Sequence, residues 1–208
     1  MIAVSTALDW STVWRDLALT APDPSVLDEV VRRWAEPHRR YHTLQHLREC
    51  LALFEQLRGG AQHPGEVAIA LWFHDAVYDM ARHDNEGASA DWASRVLRDA
   101  GATAQVAQRV NALIMATRHT QAPTTADAQL LVDIDLAILG ATPVRFDEYE
   151  LQIRAEYAFV PEALFREKRR AVLRGFLERP TIFSTAACRQ RFEAPARSNL
   201  AKAIASLD

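Results

Sequence analysis

The sequence predicts an all-α fold, a single compact multi-helix domain. Three observations lead there. Apolar residues recur at helical spacing through most of the chain. No segment alternates with period two or carries a hairpin turn signal. Proline, glycine and capping residues punctuate the pattern every 10–20 residues, leaving short loops and no linker or internal repeat.

The elements follow in order. Trp10, Val13, Trp14 and Leu17 share one helical face. Ser25 with Asp28 reads as a capping box opening a helix through Val31 and Trp34 that stops before Pro37. Past a basic turn at His38 to Arg40, a helix over 43–57 carries Leu47, Cys50, Leu51, Phe54 and Leu57, and Gly59 and Gly60 end it. Pro64 suits a first helical turn, and the stretch Val67 to Phe73 is apolar all round, as a central buried helix requires. A loop near Tyr78 to Asp84 precedes helices over 85–100, closed by Gly101, and 106–117. Thr124 with Asp127 reads as a second capping box, opening a helix through Leu130, Leu131, Ile134 and Ile138 that Gly140 closes. Thr142-Pro143 starts a helix reaching about Phe159. Pro161 opens another that ends before Pro180, and the tail from Thr185 is helical with a break near Pro195.

Composition excludes several classes. With 208 residues the chain is long enough to bury a core without staples. A net charge of -3, no basic stripe and no base-stacking module argue against a nucleic-acid reader. No apolar run reaches membrane-spanning length, and the opening MIAVSTALDWSTVWRD lacks the plan of a signal peptide, so the cytoplasm is the expected compartment. Cys50 and Cys188 are unclustered and read as core or boundary residues. Only Lys168 and Lys202 are lysines; the remaining basic residues are arginine, a bias that reads as base composition of the gene.

The chemistry lies in three segments. His42 and His46 stand four apart in YHTLQHL, on one face if both are helical. His74-Asp75 ends the most apolar helix, where a buried imidazole and carboxylate need partners such as a metal ion; exposure at a helix end is the plain alternative. Asp133 and Asp135 interrupt another apolar helix on different faces, so only one is expected at a shared centre. Imidazole and carboxylate from three helices make a mixed site that suits Mn, Fe, Co, Ni, Zn or Mg better than a closed thiolate zinc site.

The order His…His-Asp…Asp resembles the HD superfamily of metal-dependent phosphohydrolases, and YHTLQHL is similar to the YHN-type segment of cyclic-nucleotide phosphodiesterases in that class. The resemblance implies His46, His74, Asp75 and Asp135 as metal ligands and His42 as proton donor. The segments FHDAVYD, DNEGASA, ATRHT, VDIDLAILG, IRAEY and ARSNL resemble a family of HD phosphohydrolases of about 200 residues with no secure substrate. On that likeness residues 1–208 form one HD-type domain, with a metal-site core of about 41–140 and C-terminal helices 143–206 packed on it. The expected activity is hydrolysis of a nucleotide or a small phosphoester or phosphoanhydride. A binding module without turnover and a di-iron HD oxygenase are the alternatives.

The chain departs from better-known branches. It has no HD-GYP sequence, and Tyr78-Asp79 stands where alarmone hydrolases have Glu-Asp. Asp79 matches the second member of that pair and is a candidate acid/base, or a cap of the next helix. Glu86, Arg118, His119 and Arg154 are candidate substrate-binding residues, each with an ordinary ion-pairing or helix-end alternative; His119 could also hold a second metal. His38, His63 and His83 read as surface residues.

Overall fold

The computed structural model describes residues 9–80, 82 and 84–207; the surface expectation for His83 and the opening eight residues lie outside these. Among the described residues there are ten α-helices, two 3-10 turns and no strand, so the fold is all-α. No described helix is long and apolar enough to cross a membrane. The chain divides into two compact units, Met1–Val132 and Asp133–Asp208.

The first unit is built round one helix. It contains α1 (Trp10–Asp16), α2 (Pro24–Trp34), α3 (Leu44–Leu57), α4 (Pro64–Phe73), α5 (Asn85–Asp99), α6 (Ala104–Ala116) and most of α7 (Ala126–Asp135). Every residue of α4 from Gly65 to Phe73 is buried, because α1, α3, α5 and α6 all pack on it. A helix surrounded this way has no face to leave polar, hence the unbroken apolar run over 67–73. Its one carboxylate, Glu66, is met by Arg109 of α6 in a two-pronged pair at 2.8 and 2.5 Å. Gly65 is required by contact: a Cβ there would lie 2.9 Å from the backbone of Asp16 and Leu17 at the end of α1. Trp10 lies edge-on to both Trp14 and Trp72, docking α1 on α4.

Two caps differ from expectation. Asp23, not Ser25, caps α2 and accepts from Ser25 N, because Pro24 takes the first helical position and the cap must precede it. At α7, Thr125 Oγ1 rather than Thr124 accepts from Ala128 N. Asp127 turns away to receive Gln62 N, His63 N and His63 Nδ1, partners no local pattern reveals.

The second unit holds a 3-10 turn over Leu136–Gly140, then α8 (Pro143–Glu156), α9 (Glu162–Leu177) and α10 (Ala186–Ser206). The 3-10 turn packs on α8 and α10, and α9 packs on α10. α8 ends at Glu156, three residues before Phe159. Pro195 does not break α10, contrary to expectation. A proline there removes one internal hydrogen bond, and the helix is held on either side of it: Phe192, Ala196, Asn199 and Leu200 are buried, and Asn199 Nδ2 donates to the Leu139 and Ala141 carbonyls at 2.9 Å.

Candidate metal centre

α3 and the end of α4 bring the candidate ligands of the first unit together. His46 lies in the first turn of α3, which Thr43 caps, and His74 closes α4 with Asp75 next in the chain. His46 Nε2 lies 3.2 Å from His74 Nε2, and Asp75 Oδ2 lies 3.2 Å from His74 Nε2 and 3.9 Å from His46 Nε2. The point equidistant from these three atoms is about 2.0 Å from each, matching the bond lengths of about 2.0–2.2 Å that zinc makes to imidazole nitrogen and carboxylate oxygen. His74 Nδ1 contacts the Leu71 carbonyl at 2.8 Å. A carbonyl only accepts, so the proton of neutral His74 resides on Nδ1 and the Nε2 lone pair faces the centre. Both histidines are buried, at 2% and 1% exposure, and their Nε2 atoms face each other with either a His46 proton or an ion between them. The donor set and its spacing therefore fit a divalent ion.

The structure adds residues that sequence reasoning missed. Ligand atoms of His46, Cys50 and His74 all lie within 4.8 Å of one another. Cys50 Sγ is 3.7 and 3.8 Å from the two ring nitrogens of His46, so it flanks the imidazole rather than facing Nε2. Its four-residue spacing from His46 was a usable signal. Tyr41 Oη meets His46 Nδ1 at 3.0 Å. Arg39, buried to 2% exposure, reaches the carbonyls of Asp75 (2.6 Å), Ala76 (3.1 Å) and His42 (3.2 Å) and pairs with Glu36. Its guanidinium lies over the rings of Trp34 and Tyr78. Arg39 thus ties the turn bearing Asp75 to the turn bearing His42. Nothing in the basic run His38 to Arg40 distinguished it.

The other expected residues fall in several places. His42 precedes α3 rather than lying on it, because the helix begins at Leu44; the shared helical face is corrected to one turn residue, His42, and one residue in the first turn of α3, His46. Its ring still lies 6.1 Å from that of His46 and stacks on Tyr78 at 4.2 Å. Asp79 is exposed, its backbone clasped by Asn85 through bonds of 3.0 and 2.9 Å, while Asp84 stands at the N-cap of α5. Arg118 pairs with Asp84 and lies 3.7 Å from Glu86, so those two candidates form one ion-paired cluster. His119 follows with a left-handed φ of 55°. Arg154, in the second unit, binds Glu162 and the Tyr157 and Val160 carbonyls where α8 turns into α9. Asp135 is the half-buried last residue of α7. Asp133 is fully buried and accepts from Ser184 N, Thr185 N and Thr185 Oγ1, each at 2.7 Å. His38 and His63 are exposed, bonded to the Tyr78 carbonyl and Asp127.

No protein-family model, curated protein or solved structure matches the chain.

Proposed function

We propose that the chain is a metal-dependent phosphohydrolase of HD type, acting on a nucleotide or a small phosphoester or phosphoanhydride. The observation that carries the reading is the triangle of His46 Nε2, His74 Nε2 and Asp75 Oδ2, whose centre is one metal bond length from each corner. Asp135 is assigned as the fourth ligand on the sequence order of the HD superfamily alone. A mixed nitrogen and oxygen set suits Mn, Fe, Co, Ni, Zn or Mg. Such an ion, when bound, neutralises phosphate charge and lowers the pKa of water.

The chain's own groups divide the remaining work. His42, beside the centre and stacked on Tyr78, donates a proton to the leaving oxygen; Asp79 is the alternative acid or base. Arg39 keeps the turns of His42 and Asp75 in register. Glu86, Arg118 and His119 are assigned to substrate, Arg118 releasing its carboxylate partners to take phosphate. The cytoplasm is the proposed compartment, in keeping with two buried free cysteines.

The test is a screen of metal-free protein against nucleotides and phosphoesters, with Mn, Mg, Co, Ni and Fe added singly. Phosphate release that depends on metal and disappears in Asp75→Ala is the expected result. Tight metal binding with no release from any substrate would favour a binding module, and two tightly bound irons an oxygenase.

A further inference from the structure

The two buried histidines have unlike partners on their outer nitrogens. His74 Nδ1 faces the Leu71 carbonyl, which admits one tautomer. His46 Nδ1 faces the hydroxyl of Tyr41 at 3.0 Å. Tyr41 is 4% exposed, and its ring lies 4.8 Å from the His46 ring. A neutral histidine that ligates through Nε2 carries its proton on Nδ1, and that buried N–H needs an acceptor.

We propose that Tyr41 is a positioning residue of the metal centre: its hydroxyl accepts the Nδ1–H of His46 and thereby fixes the tautomer and ring orientation that turn His46 Nε2 toward His74 and Asp75. The proposal rests on the metal-centre reading above and deepens it. The Tyr41 oxygen stands where metalloproteins often use a carboxylate or a carbonyl behind a ligating histidine. A hydroxyl differs in one respect. Its O–H rotates, so it accepts from Nδ1 when Nε2 is a ligand and donates to Nδ1 when Nε2 carries the proton. His46 is therefore satisfied in either tautomer without displacement of a heavy atom, whereas His74 is held permanently in the ligating one.

The experiment uses Tyr41→Phe, which keeps the ring and removes only the oxygen. Wild type and variant, both stripped of metal, are titrated with Mn²⁺ and with Co²⁺ by calorimetry, and their metal-free melting curves are compared. Affinity about 10–100-fold weaker in the variant, with a similar metal-free melting temperature, is the expected result. Long-range proton–nitrogen NMR on Zn²⁺-loaded wild type should find the His46 proton on Nδ1. Three results overturn the proposal: variant affinity equal to wild type, a zinc-loaded His46 protonated on Nε2, or a lowered melting temperature with unchanged affinity per folded molecule. Wild-type protein that binds neither metal overturns the metal-centre reading as well, which separates that failure from a failure at Tyr41 alone.

Discussion

At Asp75 the carboxylate oxygen lies 3.2 Å from His74 Nε2, so on the proposed reading losing its charge weakens the hold on the ion without disturbing the helices. Asp75→Asn should fold normally and bind added metal much more weakly than wild type. Asp133→Ala should do the reverse. It strands two backbone N–H groups and a hydroxyl at the start of α10, at a cost on the order of 2 kcal/mol or more, while metal content per folded molecule stays at the wild-type level. Metal analysis beside a melting curve checks both, and metal loss in Asp133→Ala would reverse the assignment. His42 is tested separately. Its ring is near the centre but outside the triangle, so His42→Ala should keep metal and slow turnover by about 10²–10⁴-fold, with a smaller loss on substrates whose leaving groups need no protonation. Unchanged turnover on a poor leaving group would end the acid role. At this scale His46, His74 and Asp75, which the structure brings together, stand out in the sequence because histidines and carboxylates in apolar runs do. The sequence did not disclose Arg39 or Tyr41, whose meaning depends on carbonyls and a ring nitrogen brought near by folding.

Helices were legible where their signals are local. The all-round apolar run of α4 announced a central helix, and Gly101, with φ of 87°, stops the chain after α5 as a glycine in a left-handed turn should. Boundaries failed where a distant partner intervened, as when Asp127 left its own helix for Gln62 and His63, or where a proline was carried by packing, as in α10. The short α1 depends most on its own cap. Asp9 accepts from Thr12 N and Ser11 Oγ, and these bonds hold its carboxyl below the usual range. A lowered folded-state value means the stabilisation is complete above the unfolded value of 3.8 and disappears as pH falls through the folded one. Asp9→Ala should therefore lower stability by about 1 kcal/mol at neutral pH, and the difference from wild type should close in acid. Denaturant titrations at a series of pH values measure it; a gap that widens in acid would contradict the assignment of the cap.

For the molecule as a whole, a bound ion stabilises the folded chain in proportion to its affinity. At a free concentration one hundred times its dissociation constant an ion adds about 2.7 kcal/mol. In a protein of this length that raises the melting temperature by roughly 5–10 °C. Calorimetry of metal-stripped and Mn²⁺-loaded protein should show the rise, and a chelator should reverse it. If the units Met1–Val132 and Asp133–Asp208 melt separately, the transition that contains His46 and His74 should move. Superimposable curves with and without every metal tried would count against the centre.

The five tryptophans, Trp10, Trp14, Trp34, Trp72 and Trp92, all belong to Met1–Val132. Indole emission from this protein therefore originates in the first unit, and the second is dark at those wavelengths. Trp34 lies beside the histidines: its ring centroid is 5.4 Å from that of His74 and 6.2 Å from that of His46. If the proposed centre takes an open-shell ion such as Co²⁺, the emission of Trp34 should be quenched, whereas Zn²⁺, with its filled d shell, should leave it. Trp34 is thus a native lamp at the candidate centre, one whose emission should distinguish the arrival of different metals before any substrate is known.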